Sequence, residues 1–299
     1  MAGARDARSW YERVRKVEAD GFGSLLMPDH LDNEWAPFSA LATAACITER
    51  LRVGPLVLAN DFRHPLLVAR EVATLDVLSG GRVECGVGAG WQRSDYDALG
   101  LPYDRIGLRI ERLAEALKVM RRGWRDTYVQ ATDSYPMSSA RCLPRPASAR
   151  GPELVVGGGG QKMLTLAAQL ADVVGLNPPM SGGTVSANAA ESISGERVAE
   201  RLEWVRAAAG ERFEDLTLQC MVLACRVTQD PAEEYARLSR ALGTPTDLLE
   251  RSPHVLIGSV EEICERLLER RERYGISYWV IRSPDHGPFA AVVDRLGAR

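Results

Sequence analysis

The fold of this chain is decided by residues 51–90, which read "LRVGPLVLANDFRHPLLVAREVATLDVLSGGRVECGVGAG". The apolar run at 51–59 predicts a buried strand, and the run at 82–88 predicts a second one. Between them, Pro65 occupies a favoured first-turn position of a helix that ends at Gly80. The order strand, helix, strand is typical of a parallel α/β protein.

The same alternation continues toward both ends of the chain. Seven strands are predicted, at 24–30, 51–59, 82–88, 153–157, 172–176, 216–228 and 277–283. Helices separate them, including a long helical region at 231–274. Seven strands are one fewer than a closed eight-stranded barrel needs.

Two α/β folds compete for this pattern. A doubly wound open sheet carries a glycine-rich nucleotide loop after its first strand, where this sequence reads "PDHL" at 28–31. We therefore expect a TIM-type (β/α)8 barrel with insertions. Barrels of this kind commonly reach this length as one unit, so residues 1–299 are expected to form a single domain.

Net charge and composition indicate which class of partner the protein binds. The 299 residues carry a formal net charge of −3, which gives no electrostatic footprint for nucleic acid or an anionic membrane. No apolar stretch approaches the roughly 18 residues of a membrane helix, and the first residues lack a signal-peptide core. The six cysteines and four histidines are scattered without metal-ligand spacing. We expect a cytoplasmic protein with a small-molecule partner and no metal.

In a barrel, the chemistry lies at the C-terminal ends of the strands. Those ends carry the following candidate residues: Asp29, His30, Ala59, Asn60, Gly88, Gly90, Trp91, Gly157, Gly158, Gly159, Gly160, Gln161 and Asn177. The four consecutive glycines precede a predicted helix that begins at Gln161, and their N–H groups suit a phosphate group. A tight turn is the alternative interpretation, but it would account for only one or two of them.

Three stretches resemble the luciferase-like monooxygenase superfamily, and more closely its branch that uses the deazaflavin coenzyme F420. They are "GFGSLLMPDHL" at 21–31, the run from "ITERLRVG" to "GVGAGW" at 47–91, and "ELVVGGGGQKMLTLAAQLADVVGLNP" at 153–178. The resemblance implies an eight-stranded barrel, a flavin or deazaflavin across its C-terminal mouth, and a homodimer. Family members begin with a strand that this sequence lacks, so strand one is expected to be missing or cut off by a late start codon.

The resemblance also implies roles for individual residues. His30 would lie near the cofactor ring and exchange a proton there. Asp29 would orient His30, or merely cap the following turn. Asn60, the second candidate catalytic residue, closes a strand at which the family often has a non-prolyl cis peptide bond, expected here within 58–60. Asp29 and Ala59 are also expected to contact the cofactor. The loop Gly157–Gly160 would hold the cofactor phosphate.

The substrate side is marked by Trp91. Sugar-phosphate dehydrogenases of the F420 branch have a catalytic glutamate directly after the matching glycines, and this sequence has tryptophan there. Trp91 therefore indicates an apolar or aromatic substrate wall, with Asn177 in the same pocket. Trp35 is a second wall or an ordinary packing residue. Gly88 and Gly90 would leave room for the ring or its ribityl chain.

The expected function is an F420-dependent oxidoreductase that transfers a hydride between the deazaflavin C5 and a small organic, apolar or aromatic, substrate. Arg141, Arg145 and Lys162 are candidates to bind the polyglutamyl tail of F420. Two alternatives stay open. One is an FMN-dependent monooxygenase of the same fold. The other is a non-catalytic barrel that binds a ligand or partner, for which Trp91 and the missing first strand are the reasons.

Overall fold

The computed structural model describes residues 4–32, 35–181, 184–185 and 189–297. Contacts between Cα atoms group them into two compact units. Unit 1 takes in the described residues of 1–19 and 23–156, and unit 2 those of 20–22 and 157–299. The single domain expected over 1–299 stays a prediction.

In unit 1, helices and strands alternate. The helices are α1 (Ala7–Ala19), α2 (Pro37–Cys46), α3 (Pro65–Ser79), α4 (Arg93–Leu99) and α5 (Ile106–Arg125). The strands are β1 (Ser24–Met27), β2 (Arg52–Pro55), β3 (Leu58–Ala59), β4 (Glu84–Gly88) and β5 (Glu153–Gly158), and the last two residues of β5 are counted in unit 2. The pairs β1–β2, β3–β4 and β4–β5 are all parallel.

The predicted strand at 51–59 is interrupted. It forms β2 and β3, and the peptide bond between Leu56 and Val57 is cis. The cis bond therefore precedes β3 and does not lie within 58–60 as expected. The helix that follows agrees with the prediction: Pro65 is its first residue, and Gly80 ends it in the left-handed conformation with φ 69°.

Unit 2 begins with α6 (Gln161–Leu170) and also alternates. Its other helices are α7 (Ala189–Ser192), α8 (Gly195–Ala209), α9 (Pro231–Leu242), α10 (Thr246–Arg251), α11 (Val260–Tyr274) and α12 (His286–Gly297). Its strands are β6 (Val173–Leu176), β7 (Met180–Ser181), β8 (Thr184–Val185), β9 (Thr217–Met221), β10 (Ala224–Val227), β11 (Val255–Gly258) and β12 (Ile276–Val280). β6–β9, β9–β12 and β10–β11 are parallel pairs, and β7–β8 is antiparallel.

The expected continuous helical region at 231–274 is wrong, because β11 lies inside it. Val255, Leu256 and Ile257 are buried and pair with β10. Three apolar residues between His254 and Gly258 are too few to show a helical period, and they suit a short buried strand instead. β11 supplies a strand that the sequence count of seven lacked.

Each unit has its own apolar core. In unit 1, α1 buries Trp10, Val14 and Val17, whose spacing places them on one helix face. In unit 2, a cluster that includes Leu256 and Leu267 joins β11 to α11 and α12. None of the helices in the described ranges has the length and apolar character needed to cross a membrane.

Candidate functional site

His30 follows β1 and is held by Asp95. Its Nδ1 lies 2.8 Å from the Asp95 Oδ2 atom. A carboxylate oxygen accepts, so Nδ1 carries the proton and Nε2 is the basic nitrogen of the neutral ring. Nε2 has no hydrogen-bond partner among the described residues, and the His30 side chain is 26% exposed. The ring is therefore fixed in orientation with one nitrogen free.

Asp95 belongs to α4, a helix that the sequence analysis does not predict. It is buried, and its Oδ1 accepts from the Leu31 backbone N at 3.3 Å and from Gln92 Nε2 at 3.1 Å. The Trp91 ring meets the His30 ring edge to face, with centroids 5.2 Å apart. These contacts leave the imidazole little freedom to rotate.

Asp29 does not orient His30, contrary to one of the two expectations for it. Its two oxygens accept from Arg63 Nη1 at 2.6 Å and Nη2 at 2.9 Å. Asp29 Oδ2 also accepts from the Ala59 backbone N at 3.2 Å, which ties the end of β3 to the end of β1. A paired arginine and carboxylate in this planar arrangement is a strong, directional contact. The cofactor-binding roles of Asp29 and Ala59 stay predictions.

Asn60 takes part in a second buried network. Its Nδ2 donates to the Tyr135 hydroxyl at 2.8 Å, and burial raises the pKa of Tyr135. The next residue, Asp61, accepts from Arg112 Nη2 at 2.7 Å and from the Tyr96 hydroxyl at 3.1 Å. The amide of Asn60 is thus engaged in positioning Tyr135, and its catalytic role stays a prediction.

Gly88 and Gly90 have packing explanations. A Cβ at Gly88 would lie 2.8 Å from Val57 Cγ2, and one at Gly90 would lie 2.0 Å from the Tyr96 hydroxyl. Gly90 also has φ +75°, which favours glycine. A side chain at either position would collide with Val57 or Tyr96, which accounts for both glycines by close packing. Their cofactor role stays a prediction.

Trp35, expected as a substrate wall or a packing residue, contacts Trp10. Their ring centroids are 5.5 Å apart and the rings are tilted by 54°. Trp10 is fully buried and donates from Nε1 to Thr43 Oγ1 at 2.9 Å. This contact favours the packing interpretation of Trp35.

The glycine run in unit 2 is not a left-handed turn. None of its four residues has positive φ. Gly159 has no room for a side chain, because a Cβ there would lie 2.1 Å from Pro179 N. Gly157 is nearly as tight, since its Cβ would lie 3.0 Å from the Gly175 backbone. Close approach of neighbouring backbone explains these two glycines.

The other two glycines are different. A Cβ at Gly158 would meet only the flexible Met163 side chain, at 2.7 Å, and a Cβ at Gly160 would meet nothing within 4 Å. Gly160 is exposed and is the N-cap of α6, where no side chain caps the helix and the first turn holds no acid. The N–H groups of that first turn therefore lack side-chain acceptors, which is the arrangement that binds anions.

Three polar side chains near this loop are buried without complete hydrogen bonding. Asn177 Oδ1, Arg201 Nη1 and Gln219 Nε2 have no partner among the described residues. Asn177 is tied to the loop by its backbone N, which donates to the Gly158 carbonyl at 3.1 Å. Arg201 donates from Nε to the Gly159 carbonyl at 3.3 Å. Buried polar atoms without partners are rare in folded proteins, and they mark places where a water or ligand completes the bonding.

Asp95, Gln219 and Arg201 were not predicted from the sequence. Asp95 pairs with a residue 65 positions away, which no local pattern reveals. A signal for Arg201 does exist. It lies between Val198 and Leu202, which are both buried, so a charge stands on the apolar face of α8. In the described part of the chain, no group of three or more His, Cys, Asp or Glu side chains is arranged to hold a metal ion.

A family model for luciferase-like monooxygenases matches residues 1–277. This chain belongs to the luciferase-like monooxygenase family. It is 34% identical over 151 residues to 4-hydroxyprotoasukamycin monooxygenase of Streptomyces nodosus subsp. asukaensis, which covers 48% of this chain and 40% of that protein. It is also 34% identical over 152 residues to F420-dependent glucose-6-phosphate dehydrogenase of Intrasporangium calvum, which covers 47% of this chain and 45% of that protein. This luciferase-like chain thus spans less than half the length of either curated relative.

The solved structures include coenzyme F420 dependent tetrahydromethanopterin reductase from Methanopyrus kandleri. The TM-score is 0.77 at 19% identity, over 98% of this chain and 95% of that one. At this identity the likeness concerns the fold alone. It confirms the prediction of a parallel α/β chain of the luciferase-like barrel class. The expectation about strand one stays a prediction.

Proposed function

We propose that this luciferase-like chain is an oxidoreductase that binds F420 and reduces or oxidises a small apolar or aromatic molecule. The observation that carries the proposal is the His30–Asp95 pair, with Nδ1 and the carboxylate 2.8 Å apart and Nε2 left free. A positioned imidazole with one free nitrogen can act as a general acid or a general base.

The residues of the glycine loop fit a cofactor that carries a phosphate. Gly160 has open space where a side chain would stand, and α6 begins there without a side-chain cap. Gly157–Gly160 and Gln161 would hold the phosphate through backbone N–H groups. When bound, a deazaflavin or flavin supplies the hydride chemistry itself.

The protein's own contribution is proton transfer and orientation. His30 Nε2 would donate a proton to, or accept one from, the substrate atom that changes charge. Asp95 would keep the ring in one orientation and stabilise the imidazolium form, as a carboxylate does in other acid–base pairs. Trp91, edge-on to His30 at 5.2 Å, would line the substrate side with apolar surface.

F420 is the first choice because the resemblance in the strand-end motifs is closest to the F420-dependent branch. An FMN-dependent monooxygenase is the second candidate, favoured by the 34% identity to the Streptomyces monooxygenase. The homodimer implied by the resemblance and the cytoplasmic location expected from the composition are also proposals, which light scattering and cell fractionation would test.

A cofactor titration separates these candidates. The purified protein is titrated with oxidised F420 and, separately, with FMN, and binding is followed by cofactor fluorescence. Binding of F420 in preference to FMN supports the first choice. Tight binding of FMN without F420 would replace it by the monooxygenase, and oxygen uptake with reduced FMN would then be measured. Binding of neither cofactor would favour the non-catalytic barrel.

A further inference from the structure

Arg201 is a buried cation in α8 without an anionic partner. Arg201 is 3% exposed, and Val198, Leu202 and Val205 on the same helix face are also buried. No carboxylate in the described ranges forms an ion pair with it. A guanidinium stays protonated in proteins, so its charge is present inside unit 2.

The hydrogen bonding of Arg201 is also incomplete. Nε donates to the Gly159 carbonyl at 3.3 Å, while Nη1 has no partner among the described residues. Burial lowers the pKa of Arg201, which means that its surroundings disfavour the charge. A buried charge in this condition destabilises the fold unless something else compensates it.

Arg270 shows how another buried arginine of unit 2 is accommodated. It is 4% exposed, but Nη1 donates to the Val255 carbonyl at 3.0 Å and Nη2 to the Glu250 carbonyl at 3.4 Å. Carbonyl oxygens thus accept hydrogen bonds from both terminal nitrogens of Arg270. Arg201 differs because its one recorded partner is the carbonyl of the glycine loop itself.

The hydrogen bond to Gly159 places the Arg201 charge beside the glycine loop. The guanidinium lies against Gly159, next to Gly160 and the uncapped first turn of α6. Two sources of positive potential, a buried cation and the helix N-terminus, therefore converge on one loop. Lys162, a candidate from the sequence, is exposed and more strongly screened by water.

We propose that Arg201 supplies the positive charge that holds a phosphate group at the Gly157–Gly160 loop. The inference rests on the proposed function in that the phosphate is taken to be the cofactor's. Arg201 is buried beside Gly159, where a low dielectric strengthens its attraction for an anion. Burial of the Arg201 charge is unfavourable in the free protein, and the bound phosphate compensates that charge.

The test compares each cofactor with its phosphate-free counterpart. FMN is paired with riboflavin, and F420 with its deazaflavin ribityl fragment, so that the affinity ratio isolates the phosphate. We expect Arg201→Met and Arg201→Gln to lower this ratio by about 10- to 100-fold, the size of lost charge-assisted bonding. Arg201→Lys, which keeps the charge, should retain most of the preference.

Arg212→Met is the matched control. Arg212 Nη1 donates to the Ala168 carbonyl at 2.5 Å, at the opposite end of α6. This variant should leave the affinity ratio unchanged. Without ligand, Arg201→Met should raise the Tm by about 2–4 °C, because it removes an uncompensated buried charge and keeps an apolar stem. A ratio unchanged in both Arg201→Met and Arg201→Gln would overturn the proposal.

Failure of the proposed function is recognised separately. If the wild-type protein binds none of the four molecules, the cofactor assignment fails, and inorganic phosphate becomes the probe. A phosphate-dependent rise in Tm that Arg201→Met abolishes would still support Arg201 as an anion-binding residue. The same rise in wild type and variant, or no rise in either, would overturn it.

Discussion

Two polar regions of this chain differ in how completely their groups are bonded. Around His30 in unit 1, Asp95 accepts hydrogen bonds from the His30 ring, the Leu31 backbone and Gln92. Asp29 accepts hydrogen bonds from Arg63 and from the Ala59 backbone. Around the glycine loop in unit 2, atoms of Asn177, Arg201 and Gln219 are buried with no partner in the described residues.

The difference indicates two functional roles, proton transfer in one region and anion binding in the other. A residue that moves a proton must be held in one geometry, and bonded neighbours provide that geometry in advance. A residue that holds an anion must keep unused bonding capacity until the anion arrives. The network at His30 fixes the ring and leaves Nε2 free, which suits the first task. The glycine loop, with unpartnered buried atoms near it, suits the second.

Removing the free nitrogen of His30 should have the largest effect. We expect His30→Gln to lower kcat by about 10²- to 10⁴-fold, the usual contribution of general acid–base catalysis. Asp95→Asn should lower kcat by about 10- to 100-fold, because the ring loses its orienting partner. Steady-state kinetics with the preferred cofactor measures both. His286→Gln, a histidine bonded to the Ser283 carbonyl, is the control, and a His30→Gln enzyme as active as this control would remove His30 from the mechanism.

The buried His254 should make stability depend on pH. Burial lowers the pKa of His254 to about 4, and its Nδ1 donates to the Met221 carbonyl at 2.9 Å. Between pH 6.5 and 4 the unfolded chain binds a proton that the folded chain does not, so stability falls as the pH falls through this window. The loss should reach about 3 kcal/mol by pH 4.

His254→Gln provides the comparison, because an amide N–H can replace the Nδ1 donor. Urea unfolding of wild type and variant is measured from pH 7 to pH 4, and the difference between the two curves isolates this histidine. Parallel curves would show that His254 does not contribute to the acid sensitivity.

The two kinds of glycine in the loop should respond differently to one added methyl group. Gly159→Ala brings Cβ to 2.1 Å from Pro179 N, so backbone must move, at about 1–3 kcal/mol of unfolding free energy. Gly160→Ala meets nothing within 4 Å and should leave stability unchanged. Thermal unfolding of the two variants tests this, and equal Tm values would contradict the close packing at Gly159.

Trp35 should show the smallest effect and decides between its two interpretations. Loss of the ring contact with Trp10 in Trp35→Leu should lower stability by about 0.5–1.5 kcal/mol. If Trp35 is a packing residue, KM for the substrate stays at the wild-type value. A raised KM with unchanged stability would instead make it a substrate wall.

Local patterns predicted the regular elements well. The start of α6 at Gln161 agrees with the prediction, since four glycines precede its apolar periodicity. β11 is not predicted, because three apolar residues between helical segments carry little periodic signal. The close packing of Gly88 against Val57 and of Gly90 against Tyr96 is not predictable, because a sequence does not show which segments approach each other.

The pairing within the candidate site was the least predictable part. The position of His30 at a strand end makes it a candidate, and the adjacent Asp29 is expected either to orient it or to cap the following turn. Asp95 takes that place because α4 follows β4 and brings its first turn to the end of β1. Only tertiary contact reveals such a pair. Arg201, in contrast, was recognisable as a charge on an apolar helix face.

The contrast between the two regions is tested most directly by adding inorganic phosphate to the ¹⁵N-labelled protein and following its amide and arginine Nε signals. The account predicts saturable shifts at Gly159, Gly160, Gln161 and the Arg201 side chain, with no shift at His30 or Asp95. Shifts centred on the His30 region, or spread evenly over exposed lysines and arginines, would contradict it.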